Sequence, residues 1–206
     1  MQHNQIAIKA ILFDFGGVLA EEGFANGLIA LAREQNLQFN DIITAGMQAV
    51  YDSGFVLGHG TAADFWKLLR QRTRLKGDDS TLTERILDGF RLRDWMLDLV
   101  DELHSRGYVT GILSDQTHWL NQLDQRDHFY SKFDHIYNSY NLGKGKRDPS
   151  LFSDVAGNLN LPATQILFID DNENNTQRAH NAGMKTIVYR DRKSFSRELK
   201  QLLEKE

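Results

Sequence analysis

The apolar residues of this chain fall into five short, nearly unbroken runs that predict β-strands. The runs span residues 7–13, 108–113, 133–137, 165–169 and 186–189. Runs rich in β-branched and aromatic residues are typical of strands that are buried on both faces of a sheet. Helical patterns follow the second, third and fourth runs, over residues 116–128, 149–159 and 174–181. This alternation predicts an α/β fold with a parallel sheet.

A long segment with helical patterns separates the first predicted strand from the second. Phe65 and Trp66 keep helical spacing with later apolar residues, after a predicted N-cap at Thr61. Another helical pattern, over residues 95–103, should rejoin the sheet. We therefore predict a core domain and an inserted all-helical domain, with the bounds 1–19 plus 92–206 and 20–91.

Composition and charge narrow the possible partners. The chain has 206 residues, of which 41% are apolar and 25% charged, an ordinary globular balance. A net charge of -4 leaves no basic excess to bind a nucleic-acid backbone or an anionic membrane, so we expect neither partner. No signal-like segment or membrane-spanning run is visible, so we expect a cytoplasmic protein. We further expect a monomer or a homodimer.

The absence of cysteine limits the chemistry. It excludes disulfides, thiol nucleophiles and thiolate zinc sites, and the seven histidines form no closely spaced ligand pair. Any reaction must therefore use oxygen and nitrogen groups.

Polar residues follow four of the predicted strands, at the edge of a parallel sheet where ligands bind. In chain order they are Asp14, Ser114 with Asp115, Lys146 in a basic loop, and Asp170 with Asp171. Each group alone is explained equally well as a turn, a helix cap or a solvated loop. The coincidence of four groups at one edge favours a single site.

Acidic and basic residues can lie together at this edge if a cation binds among the acids and an anion binds to Lys146. Neighbouring carboxylates repel unless a cation lies among them. Mg²⁺ prefers oxygen ligands and commonly joins one or two carboxylates to a substrate phosphate, which suits Asp14, Asp171 and Asp170. Lys146 and the Ser114 hydroxyl would bind the remaining phosphate oxygens, with backbone N–H groups after Asp14. The predicted ligands are thus Mg²⁺ and an anionic substrate group such as phosphate.

Four stretches of the sequence are similar to the four motifs of the haloacid dehalogenase superfamily, in its branch with a helical cap. In order they read FDFGGVL, GILSDQT, GKGKRDPSLF and FIDDNENNTQRAHNAGM, and the likeness covers nearly the full chain. The resemblance implies a Rossmann-like core of three α/β/α layers with an all-helical cap inserted after the first strand. It also implies a Mg²⁺-dependent hydrolase that cleaves a small phosphate monoester, such as a sugar phosphate.

The resemblance assigns a role to each matched residue. Asp14 would attack phosphorus and form an aspartyl-phosphate, which water then hydrolyses. The implied catalytic residues are Asp14, Ser114 and Lys146. The implied substrate-binding residues are Gly16, Gly17, Ser114, Asp115 and Lys146. The implied metal ligands are Asp14, the Gly16 backbone carbonyl, Asp170 and Asp171, and Asn175 belongs to the fourth motif.

Gly16 departs from the family pattern. Phosphatases of the family usually have a second aspartate there, which protonates the leaving group and then activates water. Positioned acid–base catalysis contributes ~10²–10⁴-fold in rate, so its loss is serious. Glu21, Glu22 and Asp115 are candidate replacements, although a solvated or structural role suits each of them. A leaving group that needs little protonation, such as the anomeric oxygen of a sugar, is the remaining possibility.

Three other functions compete with the phosphatase. A 2-haloacid dehalogenase would also use Asp14 but has no need for the Asp170–Asp171 pair. A phosphate-binding protein without turnover is compatible with Gly16. A nucleotide-binding glycine loop at residues 143–148 is weak, because the required Gly-Lys-Ser/Thr ending is missing. Arg147 is expected to be solvated, and His59 is expected to be a core or surface histidine rather than part of the site.

Overall fold

The computed structural model describes residues 7–204. This span contains five strands: β1 (Ala10–Phe13), β2 (Val109–Ser114), β3 (His135–Asn138), β4 (Ile166–Asp170) and β5 (Lys185–Val188). The first five helices are α1 (Gly23–Glu34), α2 (Phe39–Asp52), α3 (Ala62–Arg72), α4 (Asp79–Leu87) and α5 (Asp94–Ser105). The remaining helices are α6 (Trp119–Asp127), α7 (Ser139–Leu142), α8 (Ser150–Asn158), α9 (Glu173–Asn181) and α10 (Arg192–Leu203).

The five strands form one parallel sheet in the order β3-β2-β1-β4-β5. The predicted α/β fold is therefore confirmed, although β1 is shorter than the predicted run of residues 7–13. Phe13 of the central strand is opposite Ile112 on one side and Ile169 on the other. Asp14 therefore follows the middle strand, and the neighbouring strands end at Ser114 and Asp170.

Helices cover both faces of the sheet and complete three layers. Ile11 and Phe13 belong to a buried cluster with residues of α5, α6 and α10. Ala10 and Leu12 belong to a second cluster with residues of α8 and α9. Consecutive side chains of a strand point to opposite faces, which is why four neighbouring residues contribute to two cores.

Helices α1 to α4 lie between β1 and α5 in the chain, and their packing continues onto the core. The rings of Phe55, Phe65 and Trp66 surround Trp119 of α6, with centroid distances of 5.1, 5.8 and 5.9 Å. Thr61 caps α3 as predicted, because its side chain accepts a hydrogen bond from the backbone N–H of Asp64.

The two chain segments that enter and leave this helical insertion run side by side. Ala20 forms a β-bridge with Leu92. The N–H of Glu21 donates to the carbonyl of Arg91 at 2.8 Å, and the N–H of Arg93 donates to the carbonyl of Leu19 at 2.9 Å. The insertion is thus joined to the sheet by one paired connection next to Asp14.

Among the described residues, no helix combines the length and the apolar character that are needed to cross a bilayer.

Candidate active site

The carboxylates of Asp14, Asp170 and Asp171 meet at the carboxyl ends of β1 and β4, with one oxygen of each within 4.8 Å of the others. The Nζ of Lys146 lies 2.9 Å from Oδ2 of Asp14 and 2.6 Å from Oδ2 of Asp170. We call these four residues the acid–lysine cluster. Residues predicted from distant parts of the sequence are therefore in direct contact, because parallel pairing aligns the ends of adjacent strands.

Asp14 is buried and its carboxylate has a fixed orientation. Its Oδ1 accepts hydrogen bonds from the Ser114 hydroxyl at 2.6 Å and from the N–H of Phe15 at 2.7 Å, whereas its Oδ2 faces Lys146. Burial raises the pKa of Asp14 against the opposing effect of Lys146, and the charge of Asp170 raises it further. A cation next to Asp14 would favour the ionised form, which is the form that can act as a nucleophile.

Lys146 is almost completely buried, borders the cavity and remains charged. Burial alone would lower its pKa, but the carboxylates of Asp14 and Asp170 outweigh that effect and raise the pKa above its ordinary value. Its ammonium group is therefore a permanent positive charge at the floor of the site, where it can bind an anionic substrate group.

Asp170 and Asp171 have different surroundings. The buried Asp170 accepts hydrogen bonds from the N–H of Asn172 at 2.7 Å and from Nδ2 of Asn175 at 3.1 Å, which fix its side chain. Asp171 is exposed at the rim. Partial desolvation and the neighbouring charge of Asp170 raise the pKa of Asp171. Asp170 is thus an anchored acid and Asp171 an accessible one.

The donor set fits a divalent cation that prefers oxygen. Three carboxylates face one ammonium group, so the cluster carries an excess of negative charge that a cation would offset. Mg²⁺ is commonly held by one or two carboxylates while it keeps several waters. The Gly16 carbonyl as a further ligand stays a prediction.

The turn after Asp14 requires glycine at residue 17. Gly17 has a φ of +80°, and a Cβ there would lie 2.0 Å from Oδ2 of Asp171. Arg93 holds the same turn, because its Nη1 donates to the carbonyl of Gly17 and, at 2.8 Å, to that of Val18. Sequence reasoning missed Arg93, since it follows the insertion directly and lies in none of the four motifs.

Asp115 connects the cluster to the inserted helices. Its Oδ1 accepts from the backbone N–H of Lys146 at 2.8 Å, and its Oδ2 accepts from the Tyr51 hydroxyl of α2 at 3.0 Å. The guanidinium carbon of Arg147 lies 3.4 Å from the centroid of the Tyr51 ring. Arg147 is exposed, as expected, but it stacks on Tyr51 and lines the cavity instead of pointing away from the site.

A cavity of about 620 Å³ opens above the acid–lysine cluster. On the sheet side it is lined by polar residues that include Asp14, Gly16 and Lys146, and on the insertion side by Phe24, Met47 and Tyr51. A molecule bound in this cavity would therefore have polar groups at one end and mainly apolar groups at the other.

A larger cleft of about 1010 Å³, bordered by α1, α4 and α6, contains no member of the cluster. Two of its arginines, Arg85 and Arg126, are paired with Glu34 and Asp127. The acid–lysine cluster lies at the smaller cavity, which is therefore the candidate site.

The structure distinguishes the remaining candidate site residues by whether they line the cavity. Glu21 is exposed and pairs with Arg93 at 3.1 Å, away from the cavity lining. Glu22, by contrast, lines the cavity together with Asp14. His59 is exposed and lies beside Gly143, outside the lining residues.

Comparisons with known proteins agree with this geometry. Residues 8–183 match the family model described as haloacid dehalogenase-like hydrolase. Bifunctional epoxide hydrolase 2 of Rattus norvegicus is 24% identical over 219 residues, which cover 96% of this chain. The chain spans only 39% of the length of that relative.

Two solved structures share the fold. A haloacid dehalogenase family enzyme from Bacteroides thetaiotaomicron, in complex with magnesium and inorganic phosphate, has a TM-score of 0.67 at 22% identity and covers 89% of this chain and 95% of its own. The L-2-haloacid dehalogenase of Xanthobacter autotrophicus, with chloropropionic acid covalently bound, has a TM-score of 0.64 at 19% identity and covers 94% and 83%. With the family model matching most of its length and the four motifs gathered at one edge of the sheet, the chain belongs to the haloacid dehalogenase-like hydrolases.

Proposed function

We propose that the chain is a Mg²⁺-dependent phosphatase that hydrolyses a small phosphate monoester, of the sugar phosphate type, through an aspartyl-phosphate on Asp14. The observation that supports it most directly is the acid–lysine cluster at the floor of the cavity. A phosphate group carries the charge and the oxygen atoms that match both a lysine and a divalent cation held by carboxylates.

Each polar residue of the site has a role in this reaction. Lys146 and the Ser114 hydroxyl bind two phosphate oxygens, and Oδ2 of Asp14 attacks phosphorus. The bond from phosphorus to the ester oxygen breaks, and water then cleaves the new bond from phosphorus to Asp14. Mg²⁺, when held by Asp14, Asp170 and Asp171, offsets the negative charge of the phosphate and of the carboxylates.

The inserted helices would act as a cap over the site. We assign residues 20–91 to this cap and residues 1–19 and 92–206 to the core. The paired connection at Ala20 and Leu92 and the apolar side of the cavity at Phe24 and Met47 support this role. A cap of this kind excludes water and contacts the part of the substrate that leaves.

A dehalogenase reaction is the principal alternative, and the structure offers it less support. Attack of Asp14 on a carbon atom that carries a halogen does not require a divalent cation. Asp170 and Asp171 would then add unfavourable negative charge close to the nucleophile. The same cluster is favourable when a metal ion and a phosphate group bind.

Phosphate release from 4-nitrophenyl phosphate tests the proposal. Purified protein should release phosphate with Mg²⁺ and lose that activity in chelator. Asp14→Asn should abolish release, because an amide cannot attack phosphorus. Asp101→Asn, which alters an exposed pair with Lys132, is the matched control and should retain activity.

Two results would contradict the proposal. Equal release by wild type and Asp14→Asn would favour a phosphate-binding protein without turnover. Release of halide from 2-haloacids in the presence of chelator would favour the dehalogenase.

A further inference from the structure

A carboxyl group occupies the space beside Gly16 although residue 16 has no side chain. A Cβ placed on Gly16 would lie 3.1 Å from Oε2 of Glu22. Glu22 also lines the cavity that contains Asp14. A side chain at residue 16 and the carboxyl group of Glu22 would therefore compete for nearly the same place, in the cavity that also contains the nucleophile.

The position of Glu22 is fixed by the start of α1. Glu22 is the N-cap of that helix, and its Oε1 accepts a hydrogen bond from the N–H of Ala25 at 3.4 Å. The following residue, Gly23, packs so closely against Phe90 that a Cβ there would lie 2.1 Å from the ring. One carboxylate oxygen is thus used for capping, whereas the other is directed to the space beside Gly16.

The electrostatic surroundings of Glu22 suit a group that exchanges a proton. Burial raises its pKa, opposed by the N–H of Ala25 and by Lys146, and the charges of Asp171 and Asp170 raise it further. A carboxyl group that is less acidic than usual keeps a larger protonated fraction near neutral pH, which is what a general acid requires.

We propose that Glu22 is the general acid and base of this protein, in the place that Gly16 leaves empty. This role rests on the proposed phosphatase reaction. When the bond from phosphorus to the ester oxygen breaks, that oxygen takes the electron pair and receives the proton of the Glu22 carboxyl group. In the second step the Glu22 carboxylate takes a proton from water, the water oxygen bonds to phosphorus, and Asp14 leaves as a carboxylate.

Glu22→Gln separates this role from helix capping. The amide oxygen of glutamine can still accept from Ala25, but the side chain cannot donate or accept the reaction's proton. We expect a loss of ~10²–10⁴-fold in kcat for an alkyl phosphate, with a much smaller change in KM. Glu21→Gln is the matched control, because the neighbouring Glu21 is exposed and outside the cavity lining.

A pre-steady-state measurement adds a result that a purely structural role would not give. The leaving group of 4-nitrophenyl phosphate needs little protonation, whereas hydrolysis of the aspartyl-phosphate still needs a base. Glu22→Gln should therefore release about one nitrophenolate per chain in a burst, followed by slow turnover. With an alkyl phosphate the first step is also slowed, so no burst should occur.

Moving the carboxyl group to residue 16 provides a rescue. Gly16 has no positive φ, so an aspartate there meets no backbone strain, and removing Glu22 vacates the space it would enter. The kcat of Glu22→Ala should be as low as that of Glu22→Gln. The double variant Gly16→Asp, Glu22→Ala should have a kcat at least ~10-fold higher than Glu22→Ala, which is a part of the rate contribution expected of an acid–base group.

The outcomes separate this role from the proposed function. Normal activity of Glu22→Gln in a protein that is otherwise Mg²⁺- and Asp14-dependent would overturn the role of Glu22 alone. An equal loss on alkyl and aryl phosphates without a burst would also overturn it. Absence of phosphate release by the wild type would overturn the proposed function and this role together.

Discussion

The ammonium group of Lys146 lies 2.9 Å from Oδ2 of Asp14, and both side chains are buried at the end of the central strand. The same ammonium group contacts Asp170 at 2.6 Å. It therefore holds two carboxylates together, and its removal should affect stability as well as activity.

Lys146→Met should destabilise the protein and abolish phosphate release. Removing one partner of a buried ion pair typically costs ~3–5 kcal/mol, because the remaining charge is left uncompensated. A thermal unfolding scan should show a lower Tm, which Mg²⁺ partly restores. Lys144→Met, on the same loop but partly exposed and paired with Asp154, is the control and should have a much smaller effect. Equal losses for the two variants would contradict this interpretation.

Magnesium should raise the Tm of the wild type without any substrate. A ligand that binds only the folded state stabilises it by ~2.7 kcal/mol at a concentration 100 times its Kd. Asp171→Asn should remove most of this shift, since Asp171 is the accessible acid of the cluster. Asp154→Asn, at an exposed ion pair, should retain it. A full shift in Asp171→Asn would place the ion elsewhere.

Gly17→Ala should impair both folding and metal binding. The two glycines Gly17 and Gly107 have φ values of +80° and +87°, but a Cβ at Gly107 would meet nothing within 4 Å. Gly107→Ala should therefore show only the left-handed backbone cost of ~1–2 kcal/mol. Gly17→Ala should lose more stability and also the Mg²⁺-dependent shift in Tm, because its Cβ displaces Asp171. Identical behaviour of the two variants would refute the proposed contact.

Arg93→Ala should lower kcat although Arg93 is in no motif. Its guanidinium donates to the carbonyls of Gly17 and Val18, and leaving such acceptors unpaired costs ~1–3 kcal/mol. The turn that follows Asp14 would then be less well ordered. Comparing Tm and kcat with those of Arg91→Ala, an exposed neighbour, checks the effect. An unchanged kcat would show that the turn keeps its geometry without Arg93.

Much of the fold was predictable because its signals are local. Buried parallel strands need unbroken apolar runs, so the pattern located all five strands to within a few residues, and the polar residues after them indicated one edge. The motif residues Asp14, Ser114, Lys146 and Asp170 are accordingly in contact. The start of β1 was less predictable, because apolar residues continue before the strand into the preceding segment.

Contacts across the insertion were not predictable in the same way. Arg147 is exposed as expected, but its stacking on Tyr51 beside the cavity was not predicted. Glu21 and Glu22 were equivalent candidates in the sequence, whereas in the structure Glu21 pairs with Arg93 and Glu22 faces the cavity. Neither outcome depends on local sequence preference. Both depend on how the inserted helices sit above the sheet.

The sequence by itself determined the parallel sheet, the family and the residues gathered at the edge, because periodicity and motif chemistry are properties of neighbouring positions. Only the tertiary structure decided which acid lies beside Gly16 and which arginine holds the turn after Asp14. Those contacts depend on the direction in which α1 leaves the core and on the pairing of Ala20 with Leu92. Both are features of the tertiary structure, which the pattern of residues along the chain does not specify.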